Sequence, residues 1–201
     1  MWNLTDNIEQ NCKDFLVKGG MDLFLQCKLR YGSKYSLIRS MLGPISNASE
    51  FKDLCQILKK KIYLMNELLT IIHETDDFEN GYIATGIIAQ IVFDDCGLWN
   101  IKEIDSISNN LQLSPLRPTD NALEEVLEKM INWPLNAKLT DIIYNTFRPI
   151  VRLLFAPTQP VCQYWAMWTL AHFSKKDGKC INNIAPFDCD IKHIQANKLD
   201  L

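Results

Sequence analysis

The sequence predicts an all-α fold, an armadillo-like helical repeat (α-solenoid) with three helices per unit. Three observations carry that expectation. Apolar residues recur at helical spacing along most of the 201 residues, with few of the alternating stretches that would read as strands. Glycines and prolines interrupt the pattern at intervals suited to short helices. Five-residue windows starting at Trp2, Gly43, Gly86 and Trp168 each end in a polar residue: Asp6, Asn47, Gln90 and His172. Their separations fit a period of about 42 residues, which is the armadillo length. The competing arrangement is a helical bundle without repeats.

The elements follow in order. Asn7–Cys12 leads into Phe15-Leu16-Val17, and Gly19-Gly20 closes that helix, since glycine readily takes the left-handed backbone that follows a helix C-terminus. Met21–Leu29 reads as a second helix, ended by Tyr31-Gly32. Tyr35–Glu50 reads as the third, with Leu37, Ile38, Met41, Leu42 and Ile45 on its apolar face. Pro44 falls inside it, removes a backbone hydrogen bond and is expected to bend the helix enough to displace Asn47. The cycle repeats as Phe51–Lys60, Ile62–His73 and Gly81–Asp94.

Residues 95–120 break the period with Asn109-Asn110, Ser114-Pro115 and Arg117-Pro118, and are expected to form an insertion loop. Helices resume as Asn121–Trp133, Lys138–Phe155 and Pro160–Ser174, with Thr119-Asp120 offering cap residues to the first of them. The repeat domain is thus expected over residues 1–174, and residues 175–201 as a last helical turn and tail.

With 47% hydrophobic and 22% charged residues, the chain has the composition of a soluble domain able to bury a sizeable core. A net charge of -3 without a basic stripe argues against nucleic acid as a partner. Lys59-Lys60-Lys61 reads as a solvated helix end. No apolar run is long enough to cross a bilayer, and residues 1–30 lack the pattern of a secretory signal, so no membrane partner is expected. The seven cysteines, at 12, 27, 55, 96, 162, 180 and 189, include no Cys-x-x-Cys pair. Their odd count and apolar surroundings point to reduced thiols in a cytoplasmic or nuclear protein. Cys180, Cys189 and His193 lack the fourth ligand and tight spacing of a zinc site. No cofactor and no metal are expected.

The polar residues of the repeated windows are the candidate site. Trp2 and Asp6 lie four apart, and Asn47 and Glu50 three apart, so each pair shares one helix face. If consecutive third helices stack in parallel, an aromatic ring, an amide and two carboxylates share one groove. That set suits a small cation such as the free amino terminus of a peptide. An enzyme is not expected. His73-Glu74-Thr75-Asp76-Asp77 has no second histidine at ligand spacing, and neither a phosphate loop nor a nucleophile elbow is present. Trp165, Trp168, Met21, Met41, Met65, Met130 and Met167 read as core packing.

Specific strings sharpen this. Trp2-Asn3-Leu4-Thr5-Asp6, Gly81-Tyr82-Ile83-Ala84-Thr85-Gly86-Ile87-Ile88-Ala89 and Tyr164-Trp165-Ala166-Met167-Trp168 resemble the carboxy-terminal armadillo domain of the Zer-one/Zyg-eleven family. So does Asn132-Trp133-Pro134 followed by Phe147-Arg148-Pro149; together the matches run from residue 1 to about 173. The resemblance implies a substrate receptor of cullin-RING ubiquitin ligases, whose armadillo domain captures proteins with an exposed first glycine or, in one branch, another small residue. By motif position, Trp2, Asn3 and Asp6 match one half of that amino-terminus pocket and Asn47 and Glu50 the other. Leucine-rich repeats and a cullin-binding segment precede this domain in the family. Contact with the cullin-RING ligase is therefore expected only through regions outside these 201 residues.

The chemistry agrees with the resemblance. An ammonium has three donors, and Asp6, Glu50 and the Asn47 carbonyl would each accept one. Trp2 would wall the pocket against the first α-carbon, and Asn3 would hold the ligand's backbone amide. Glycine fits such a pocket and bulky residues clash. The competing function is a general armadillo scaffold that binds an internal segment of a partner, with no need for a free terminus.

Overall fold

The computed structural model describes residues 2–93, 120–156 and 159–176. It is built from α1 (Trp2–Thr5), α2 (Glu9–Val17), α3 (Gly20–Tyr31), α4 (Tyr35–Ser49), α5 (Lys52–Lys59), α6 (Ile62–Glu74), α7 (Phe78–Phe93), α8 (Asp120–Ile131), α9 (Arg148–Val151) and α10 (Pro160–Lys176). A 3-10 turn, Arg152–Phe155, extends α9. No strand occurs among the described residues.

Two complete three-helix units, α2–α3–α4 and α5–α6–α7, follow one another. Their third helices form the spine: α1 packs on α4, α4 on α7, and α7 on α10. Helix ends sit where the sequence puts permissive residues. Gly19 takes φ +84° between α2 and α3, and Asn7 takes φ +54° between α1 and α2, a region that Asn tolerates better than other residues with a Cβ.

α7 is apolar nearly all round, as expected of a helix enclosed by neighbours. Tyr82, Ile83, Ala84, Ile87, Ile88, Ile91 and Val92 are all buried. Gly86 lets α10 approach: a Cβ there would lie 2.4 Å from Cζ2 of Trp165. The Trp165 indole N–H donates to the Tyr82 carbonyl at 3.3 Å, and the two rings stack at 5.4 Å. Phe78, Trp133 and Trp168 complete this aromatic cluster.

The expected core is largely found. Trp165, Trp168, Met21, Met41, Met65 and Met130 are buried, but Met167 is 53% exposed and does not belong to the core. Cys12, Cys55 and Cys162 are buried free thiols and Cys27 is half-buried. Burial, first among the causes, pushes Cys12 up to about 11 and Cys162 up to about 12, so neither is a reactive thiolate. The expected insertion at 95–120 falls, up to residue 119, outside the described residues. So do Cys96, Cys180, Cys189 and His193, and the expected tail beyond residue 176.

Two expectations need correction. α4 runs unbroken through Pro44, and Asn47 stays in its last turn. The expected helix Lys138–Phe155 is not one helix. Residues 132–147 form an irregular, extended strap, and helix begins only at Arg148. Pro149 explains the start: lacking an N–H, proline is at home in the first turn of a helix and disruptive in its middle.

Candidate functional site

A small cleft opens between the spine helices and the strap. One wall comes from the ends of α1 and α4. Asn47 donates through Nδ2 to Thr5 Oγ1 at 2.9 Å, across 42 positions of sequence. The bond ties neighbouring units together at the repeat period and commits the Asn47 nitrogen as donor, leaving acceptance to the carbonyl branch. Asp6 follows α1 directly, and Asn7 Nδ2 donates to its Oδ1 at 3.1 Å. Glu50 follows the last residue of α4.

Glu50 is the most perturbed acid of the cleft. It is half-buried, and no hydrogen bond to its carboxylate is found among the described residues. Burial, then the negative charge of Asp6, raise it from 4.5 to about 7, against a smaller opposing effect of Arg152. Its place at the C-terminal end of α4, where the helix dipole is negative, also favours a cation nearby.

The opposite wall is the strap. The Thr140 hydroxyl and the Asp141 backbone N–H both donate to the Glu79 carboxylate, at 3.1 and 2.7 Å. The Asp141 carboxylate pairs with Arg39, which also holds Asp77 at 2.7 Å and Glu79 at 2.8 Å. Leu139, Ile142 and Phe147 are buried. The Tyr144 hydroxyl lies 2.8 Å from that of Tyr82, which lies 2.9 Å from Thr169 Oγ1. Burial holds both phenols protonated, Tyr144 well above its ordinary value. Asn145 then donates through Nδ2 to Asp6 Oδ2 and joins the two walls.

Asp6, Asn47 and Glu50 line the cleft together with Tyr82, Tyr144, Asn145 and Trp165, around a cavity of about 30 Å3. A single water needs roughly 10–15 Å3 on this scale, so the cavity admits an ammonium-sized group and little more. Three sequence-derived site residues therefore converge: Asp6, Asn47 and Glu50. Asn3 is exposed and does not line the cleft. Trp2 opens α1, and its side chain lies outside the described part of the structure.

Tyr144 and Asn145 are the site residues that sequence reasoning missed. The available signal was the pair Asn145-Thr146 shortly before Pro149, a combination that favours a loop leading into a helix start. The other window-ending residues hold their own chain. Gln90 donates to the Pro149 carbonyl at 3.0 Å and accepts from Arg152 at 2.6 Å. His172 Nδ1 lies 3.1 Å from the Leu135 carbonyl oxygen. No group of three or more His, Cys, Asp or Glu side chains among the described residues is placed to hold a metal ion. No described helix is long and apolar enough to cross a membrane.

Fold and cleft define an all-α helical-repeat domain with a small acidic cleft between its spine and an extended strap. The family described as Protein zer-1 homolog-like, C-terminal domain, matches residues 1–184, and the chain belongs to that family. It is 34% identical over 174 residues to Protein zer-1 homolog of Homo sapiens, covering 85% of this chain and 20% of that protein. It is 30% identical over 179 residues to Zyg eleven-related protein 1 of Caenorhabditis elegans, covering 89% of this chain and 18% of that protein. With Protein zer-1 homolog of Drosophila melanogaster the identity is 27% over 203 residues, covering 87% and 24%. The chain spans about a fifth of the length of these curated relatives.

Proposed function

We propose that this domain binds the free amino terminus of proteins that begin with glycine or another small residue. In this reading it is the substrate-recognition module of a cullin-RING ubiquitin ligase receptor, and capture leads to ubiquitin-dependent degradation. Contact with the ligase is assigned to regions outside these 201 residues, and the compartment to cytoplasm or nucleus. The domain itself carries no chemical step.

The observation that supports this most is Glu50: a half-buried carboxylate, without a hydrogen-bond partner among the described residues, beside a second carboxylate in an ammonium-sized cavity. Holding two partly desolvated acids side by side is unfavourable until a cation joins them. A terminal amine, with an ordinary pKa near about 8, arrives charged at neutral pH and brings three donors. Asp6, Glu50 and the Asn47 carbonyl accept one each, at about 1.5–3 kcal/mol per charge-assisted bond. The small cavity leaves no space for a large first side chain. Acetylation removes the charge and leaves both acids without a counter-ion.

The test is binding of a glycine-initiated peptide, with its amine free or acetylated, to wild type and Asp6→Ala. Binding confined to the free amine, and weakened about tenfold or more in the variant, is the expected result. Equal binding of both peptides supports the second reading, a scaffold for internal segments. One observation favours that reading: an extended segment, the strap, already lies against α4, α7 and α10.

A further inference from the structure

We propose that Asn145 is an internal competitor for the cleft: its side-chain amide holds the Asp6 carboxylate in the place a ligand's ammonium would take. The inference rests on the reading of the cleft as a seat for a free amino terminus.

The geometry makes Asn145 a local latch rather than a lid. The strap is fastened on both sides of it. Asp141 is held by Arg39 and Glu79, Tyr144 by Tyr82, and Phe147 by the rings of Tyr144 and Phe173, at 5.5 and 6.1 Å. The Asn145 side chain is exposed. Its release from Asp6 therefore needs a change of rotamer and leaves the strap in place. Because the strap keeps the amide near Asp6, the competitor acts at a high effective concentration, on the order of millimolar.

An ammonium can still win this exchange. It brings a full charge where the amide brings a dipole, and it reaches Glu50, which Asn145 does not bond. A neutral N–H from an acetylated terminus or an internal peptide bond offers Asp6 no more than Asn145 already supplies. The latch thus raises the affinity any ligand must reach, and only ligands with a charged terminus reach it comfortably.

The contact and the competition are tested separately on the 15N-labelled chain. The side-chain amide resonances of Asn145 are identified by their loss in Asn145→Ala. Asp6→Asn is expected to shift them, and unmoved resonances overturn the proposal by showing that the two side chains do not meet. A glycine-initiated peptide with a free amine is expected to move the same resonances in wild type. It is expected to bind Asn145→Ala about twofold more tightly, the worth of one solvent-exposed bond. Circular dichroism of Asn145→Ala is expected to match wild type, since the substitution is exposed. Equal or weaker binding to Asn145→Ala overturns the competition while leaving the amino-terminus reading intact. Absence of binding to either form overturns that reading and the competition together.

Discussion

One wall of the cleft is helix and the other is extended chain, and the two are fixed by different physics. The helix wall, Asp6, Asn47 and Glu50, is set by the repeat: the ends of α1 and α4 come together because their units stack, and the Thr5–Asn47 bond spans one period. The strap wall is set by contacts far apart in sequence: Asp141 on Arg39, Tyr144 on Tyr82, Asn145 on Asp6. The helix wall contributes charge and the strap contributes neutral amide and phenol groups. The regular part of the fold thus supplies the acid chemistry, and the departure from regularity limits the space around it.

Perturbing the two walls in turn should separate these roles. The largest effect is expected in the helix wall. Unfolded Glu50 loses its proton near 4.5 and folded Glu50 near 7. Between those values the folded state holds the extra proton, so stability falls as pH rises, by about 3 kcal/mol in full. Urea unfolding at pH 5 and pH 8 should show that loss in wild type, and Glu50→Gln should lack it. Gly86→Ala comes next. Its new Cβ meets Trp165, which lines the cleft, and overpacking of this kind costs about 1–3 kcal/mol. Thermal unfolding should report the loss.

The strap effects are smaller. Tyr144→Phe removes one hydroxyl from the Tyr144–Tyr82–Thr169 chain and should cost about 1 kcal/mol by urea titration, with helical content unchanged. Asn145→Ala, an exposed change, should alter stability by no more than about 0.5 kcal/mol. A strap variant that destabilised the protein more than Glu50 does between pH 5 and pH 8 would show that the strap organises the spine and not the reverse.

The spine was legible because its signals are local and repeated. Gly19-Gly20 marks a helix end, and the windows ending at Asp6 and Asn47 recur at one period. The strap was misread for a physical reason. Leu139, Ile142, Ile143, Phe147 and Ile150 fall at spacings that also suit a helix. In the structure Leu139, Ile142 and Phe147 are buried without being helical, while Ile143 is 82% exposed. Periodicity reports which residues want burial, not which elements will bury them. Asn145-Thr146 signals a loop but not a site, because the hydrogen-bond partner of Asn145 among the described residues is a carboxylate 139 positions away.

Glu50 is where a charged amino terminus in the cleft would be felt most directly. The 13C-carboxyl resonance of Glu50, followed through a pH titration with and without a glycine-initiated peptide, reads its proton at the atom concerned. In the free protein it should titrate near 7. With the free-amine peptide bound, the ammonium should pull it well toward acid, and the acetylated peptide should leave it where it was. A Glu50 that titrates at the same pH in all three samples would contradict the claim that the cleft seats a charged amino terminus.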